Sequence, residues 1–193
     1  MESTAKAAAA DKIRERLQWW RVPLMTAFIL IGVYFIRKET PILWAGMAVT
    51  LFGEFFQLWA ASHLRKDKKL ATSGPYSHVR NPMYFGRFFV LLGFTIMIGR
   101  IWLIATFIII FVLYVRGRVG REENRLRRIF GEDYENYCRE VPRFIPRLRP
   151  YSNAAHERWQ WSKLATNHEY LNLIAALAVF ALILVRIRLF PHI

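Results

Sequence analysis

Apolar blocks set between clusters of arginine and lysine restrict the possible folds of this chain more than any other feature. The blocks fall at 19–36, 41–62, 84–115 and 170–185. They are too long and too pure for a soluble domain, and a helix needs about 20 apolar residues to cross a ~30 Å hydrocarbon core. The third block has 32 residues, which as one helix would reach about 48 Å. Gly99 and Arg100 lie near its middle, so it is expected to fold as two short helices in a hairpin. The expected architecture is an all-α integral membrane protein with about five transmembrane helices and a helical catalytic region at one membrane face.

The distribution of charge orients this threading. The formal net charge is +14, which in a soluble chain would point to nucleic acid. Here 22 of the 28 lysines and arginines fall in 1–21, 63–83 and 116–168, all on one side of the threaded membrane. The positive-inside rule makes that side cytoplasmic, and membrane lipids rather than nucleic acid are the expected partners. Residues 1–18 lack the apolar core of a signal peptide and read as an interfacial amphipathic helix anchored by Trp19 and Trp20. The domain reading is a single membrane unit: 1–18 interfacial, 19–115 four transmembrane helices, 116–168 a cytoplasmic catalytic segment, 169–189 a last transmembrane helix. The single cysteine, Cys138, cannot form an internal disulfide.

Folding the third block at Gly99 sets the residues before Tyr84 opposite those after Val115. The first of these stretches, SGPYSHVRNPMYFG at 73–86, is stiff and crowded. Pro75 and Pro82 fix backbone angles, Gly74 and Gly86 allow close approach, and Pro82 suits the first turn of a helix. Tyr76, Ser77, His78, Arg80, Asn81 and Tyr84 supply polar groups on this frame. In the second stretch Glu122 and Glu123 sit just beyond a membrane helix, with Leu126 on the same face as Glu122. Read separately, the loop is a helix start and the acids are surface partners of Arg118 and Arg127. Read together, they form one wall of a site for a cationic or hydroxyl-bearing ligand.

The run Arg80-Asn81-Pro82-Met83-Tyr84-Phe85-Gly86, followed by Glu122-Glu123-Asn124-Arg125-Leu126, resembles the isoprenylcysteine carboxyl methyltransferases and the related phospholipid methyltransferases. Gly-Pro-Tyr at 74–76, Phe-Gly-x-x-Tyr at 130–134 and Val-Pro-x-x-x-Pro at 141–146 add to it, so the resemblance covers about 50–147. It implies a membrane enzyme using S-adenosyl-L-methionine, with the cofactor entering from the cytoplasm and a lipid-like substrate from the bilayer. By the same resemblance Tyr76, His78, Arg80, Pro82, Tyr84 and Glu122 line the cofactor pocket, with Glu123 and Leu126 supporting it. Asn81 departs from the family pattern, which carries histidine there, and asparagine cannot titrate.

Methyl transfer to a carboxylate brings a negative nucleophile to a positive sulfonium, so alignment and exclusion of water matter more than proton transfer. An arginine to steer the acceptor is expected, with Arg80, Arg87 and Arg116 as candidates. The expected acceptor is an isoprenylcysteine carboxylate or a similar lipidic group. The alternative of a phospholipid amine would need a base, for which His78 or the intramembrane Glu54 would serve. A sterol-reductase-like protein binding NADPH is a further rival, disfavoured by the Glu-Glu-x-x-Leu element and the short chain. A non-enzymatic scaffold is the third. His63, His156 and His168 show no metal-ligand spacing, so no metal is expected. Trp159, Trp161 and Tyr170 suit an interfacial belt. The basic run 139–149 suits a headgroup-facing surface, its prolines an extended strap over the site.

Overall fold

The computed structural model describes residue 36 and residues 40–64, 69–167 and 170–189. The expected first span and the interfacial helix at 1–18 lie outside the described residues. Helices α1 (Pro41–His63), α2 (Pro82–Ile98), α3 (Ile101–Glu140), α4 (Trp161–Asn167) and α5 (Tyr170–Leu189) follow in order, with a 3-10 turn at Gly74–Ser77 before α2. No strand occurs among the described residues, in keeping with the all-α expectation. Among the described residues three helices are long and apolar enough to cross a membrane: α1, α3 and α5. Helix α2 is apolar but has 17 residues, about 25 Å of rise.

Capping follows the residues. Thr40 caps α1, its side chain accepting from the Leu43 N–H, and Pro41 occupies the first turn. Helix α2 begins on Pro82 and ends where Gly99 turns left-handed at φ 70°. A residue with a Cβ pays a steric penalty there, so glycine marks the hairpin between α2 and α3.

That hairpin was legible; its second leg is longer than the charge pattern suggests. Helix α3 does not stop at Val115 but continues through the charged run to Phe130, because Glu, Arg and Leu in that stretch favour a helix. Gly131, at φ 50° and ψ −122°, then reverses the chain. Arg127 Nε donates to Glu135 Oε1 at 2.7 Å across the turn.

Helices α1 and α2 pack through two pairs of glycines spaced seven residues apart. A Cβ on Gly53 would stand 2.5 Å from Val90 N and 2.6 Å from Gly86 O. A Cβ on Gly46 would stand 2.7 Å from Gly93 O, and one on Gly86 2.6 Å from Gln57 Cγ. Within lipid there is no hydrophobic force to press helices together, so small residues that let backbones touch carry the contact. Thr50 adds an Oγ1 bond to Gly46 O at 3.0 Å within this seam. Helix α5 packs on the far end, where Val179, Phe180 and Ile183 join Ile36, Leu43, Met47 and Met97. Arg186 there donates to Ile36 O at 2.5 Å.

Phenylalanines continue the seam across three helices. Phe52 meets Phe89 at 5.1 Å and Phe56 meets Phe85 at 4.7 Å, while Phe88 meets Phe111 of α3 at 5.2 Å. Gly53→Val is expected to cost about 1–3 kcal/mol by overpacking. Gly120→Ala, where nothing stands within 4 Å of an added Cβ, is expected to gain about 0.5–1 kcal/mol. Thermal unfolding midpoints in one detergent check both signs.

Candidate active site

Three segments converge on one buried carboxylate. Glu123 lies on the stripe Val115, Val119, Glu123 of α3, all buried, and is itself 1% exposed. Arg143 meets it with two nitrogens, Nε donating to Oε1 at 3.1 Å and Nη2 to Oε2. Arg80 Nη1 lies 3.7 Å from Oε1, and Asn81 Nδ2 donates to the same oxygen at 3.4 Å. Ionised carboxylates are stable away from water only when paired and hydrogen-bonded, and Glu123 has both.

Asn81 donates from one amide nitrogen twice, to Glu123 and to Arg143 O at 3.2 Å. A histidine ring nitrogen carries a single hydrogen, so asparagine here serves as a fixed double donor. Arg80 Nη1 also donates to Cys138 Sγ at 2.6 Å, while Arg80 Nε is buried without an acceptor among the described residues.

The extended strap 141–151 binds the loop along its backbone. Arg80 N donates to Pro142 O at 2.9 Å, Arg147 N to His78 O at 3.0 Å and Tyr151 N to Ser77 O at 2.8 Å. His78 Nδ1 donates to Arg147 O at 2.8 Å, which fixes its tautomer because a carbonyl only accepts. Beneath the strap Tyr137 donates its hydroxyl to Tyr76 O at 2.6 Å. Tyr134, Tyr137, Val141 and Tyr151 form an apolar cluster against which Leu126 and Phe130 pack. Burial pushes the Tyr137 phenol well above its ordinary value, with Tyr76 and Tyr134 adding to it. Tyr134 is raised too, by burial first and then by the Glu123 charge.

The expected site residues divide. Arg80, Glu123, Tyr76, His78 and Leu126 come together in this assembly, and Pro82 is buried at the start of α2. Tyr84 stands at its edge, with the Arg87 guanidinium 5.6 Å from its ring centroid. Arg118 reaches the Tyr84 hydroxyl, a contact that raises the arginine pKa. Glu122 faces solvent, 3.9 Å from Arg125. Arg116 is exposed, and Glu54 is buried within α1. Arg143, Cys138 and Tyr137 were not singled out as site residues. The four-residue spacing of Val115, Val119 and Glu123 would have identified the buried acid.

The loop rests on the end of α1. A Cβ on Gly74 would lie 2.7 Å from the His63 ring, and His63 Nε2 lies 3.2 Å from Glu157 O. An open cleft of about 500 Å³ flanks this turn, lined by Gly74, Ser77, Tyr151, Ser152 and His156 among others. Among the described residues no group of three His, Cys, Asp or Glu is placed to hold a metal.

An all-helical membrane protein with a motif-built polar site at one end of its helices is the class this geometry defines. The chain belongs to the phospholipid methyltransferase family, whose pattern it matches over residues 19–133. It is 31% identical to the nickel-cobalt-cadmium resistance protein NccN of Alcaligenes xylosoxydans xylosoxydans, over 70% of this chain and 66% of that protein. It is 30% identical to the cobalt-zinc-cadmium resistance protein CzcN of Cupriavidus metallidurans, over 72% and 67%. With the protein-S-isoprenylcysteine O-methyltransferase of Schizosaccharomyces pombe it shares 34% identity over 51% of this chain and 42% of that enzyme. The chain thus spans about two thirds of the first two relatives and under half of the third. The resemblance read from 80–86 and 122–126 is borne out, and the family is one of membrane methyltransferases. No solved structure matches the chain.

Two outcomes test this assembly. Glu123→Ala strands two guanidinium groups and is expected to cost about 3–5 kcal/mol in chemical unfolding, with faster proteolysis of the strap. For the tyrosines the folded pKa values lie above the ordinary 10. The stability they contribute is therefore complete below about pH 10 and lost as pH rises through the folded values. An absorbance titration should show two of the eight tyrosines ionising only when the fold opens. Tyr137→Phe should remove one of them.

Proposed function

We propose that this chain is a membrane methyltransferase that uses S-adenosyl-L-methionine, its active site on the cytoplasmic face. Its proposed acceptor is the carboxylate of an isoprenylcysteine or a similar lipidic group. The observation that carries the reading is the assembly of Arg80, Asn81 and Glu123 from the two family motifs around one buried carboxylate.

The residues present fit such a cofactor. Arg80 Nε is a buried donor with no acceptor among the described residues, suited to a carboxylate. The Glu122 carboxylate, one position from Glu123, faces solvent and is suited to a ribose hydroxyl or an ammonium group. The cleft of about 500 Å³ next to Gly74 and Ser77 is in the range that holds a small molecule. When bound, the cofactor supplies an electrophilic methyl group on a sulfonium.

The chain's own part is positioning. Arg87, over the Tyr84 ring, stands between the phenylalanine seam and the loop, where it can orient an anionic head whose apolar tail lies against Phe85, Phe88 and Phe89. The strap closes over the loop and excludes water, which strengthens every charge interaction inside. Since the nucleophile is already anionic, no side chain has to remove a proton at the reacting atom.

Calorimetric titration with S-adenosylhomocysteine and with NADPH tests the cofactor. Binding of the first alone is expected, and binding of NADPH alone would sink the reading. Arg80→Ala should weaken S-adenosylhomocysteine binding at least about tenfold, the loss of one charge-assisted contact. Labelled methyl transfer to a farnesylcysteine analogue, to phosphatidylethanolamine and to small prenyl acids then tests the acceptor. Label on the amine lipid alone would overturn the carboxylate assignment.

A further inference from the structure

Residues 142–150 read PRFIPRLRP, with proline every fourth position. The inner edge of this strap is fully engaged: Pro142 O, Arg147 N and Tyr151 N bond the loop at 77–80, and Arg143 reaches Glu123. Between these anchor points the chain swings outward twice. The first excursion presents Ile145, 80% exposed, and the second Leu148, 98% exposed. Both are held out rigidly, because the flanking prolines fix φ and the Arg147 guanidinium ties Glu140 O and Arg149 O at 2.5 Å each. A rigid pair of fully offered aliphatic side chains is not how a free surface loop is built.

Charge indicates what they meet. Of the arginines in 141–156, Arg143 is paired with Glu123 and Arg147 with Glu140, which leaves the exposed Arg149, with Arg139 before it, as the charge the strap offers outward. The loop that carries the strap ends at Asn81, directly before α2 enters the apolar layer. The strap is thus tied to the point where the chain passes into lipid. An edge that is basic, aliphatic and poor in free N–H groups, since proline has none, suits the headgroup zone of a bilayer.

We infer that the strap is a membrane-docking edge that takes anionic phospholipid headgroups on Arg139 and Arg149 and seats Ile145 and Leu148 below them. The same strap holds Arg143 on Glu123, so docking couples the lipid surface to the buried site. This inference stands apart from the methyl-transfer reading, because its test needs no turnover.

The test uses the full chain in bilayer discs of phosphatidylcholine, with and without phosphatidylglycerol. A polarity-sensitive fluorophore is attached at Leu148→Cys in a Cys138→Ser background. Its emission is expected to fall about twofold with brominated lipids, and further with phosphatidylglycerol, as an anionic surface draws basic segments in. Emission quenched by aqueous iodide but unchanged by brominated lipid would overturn the proposal. Quenching by lipid that ignores phosphatidylglycerol would overturn its anionic part. In the unmodified chain, trypsin should cut after Arg147 several-fold more slowly in the anionic discs. Equal rates in the two discs would count against docking.

Discussion

One carboxylate, buried in a chain that carries an excess of positive charge, sets the terms for everything around it. Glu123 leaves water only because Arg143 of the strap, Arg80 and Asn81 of the loop, and its own position on α3 bring donors from three segments. Removing Glu123 alone strands its partners, but replacing a whole buried ionic cluster, acid and guanidinium groups together, by apolar side chains can be neutral for stability, so the value of the cluster lies elsewhere. What it specifies is conjunction. If the strap is out of place, Glu123 loses its two-nitrogen partner; if the loop is out of place, it loses the others. The polar groups of the site are in position only when all three segments are.

Helix α3 makes this conjunction known to the membrane. One uninterrupted run from Ile101 to Phe130 carries Phe107 and Phe111 against Phe88 at one end and Glu123 at the other. A helix of this length is stiff, so the lipid-facing aromatic seam and the buried acid keep a fixed relation. An amphiphile laid along the phenylalanines would therefore present its head at a set distance from the loop. Tyr84, contacted by Arg87 of α2 and Arg118 of α3, ties the two helices together at the loop end of the seam.

Much of this frame could be read from the residues. Apolar length gave α1, α2, α3 and α5, and Gly99 was visible as a turn because it lies beside Arg100 near the middle of a block too long for one span. The motifs located Arg80 and the paired acids. Which acid goes inside was harder, since Glu122 and Glu123 differ by about 100° around the helix and no local propensity separates them. The stripe of Val115 and Val119 decides it, and that is a statement about packing at four-residue intervals, not about a motif. A helix was legible at Glu122–Leu126, but its continuity with the membrane span was not, because composition changes at Arg116 where the backbone does not. The reversal at Gly131 and the return of Cys138 to Arg80 and of Arg143 to Glu123 depend on contacts across 58 and 20 residues, which no local pattern encodes.

The two halves of the molecule are held by different forces, and this decides which half can move. Glycine pairs lock α1 to α2 at backbone contact, where any shift opens voids or collides main chains, so that pair behaves as one body. The strap is held instead by backbone hydrogen bonds, by side-chain bonds near the surface and by the ion pairs of Arg143 with Glu123 and of Arg147 with Glu140. Each of these can be exchanged for water at modest net cost. Opening of the site therefore falls to the strap and not to the membrane helices. Arg143 of the strap also secures Glu123, so displacing the strap and unpairing the buried charge go together.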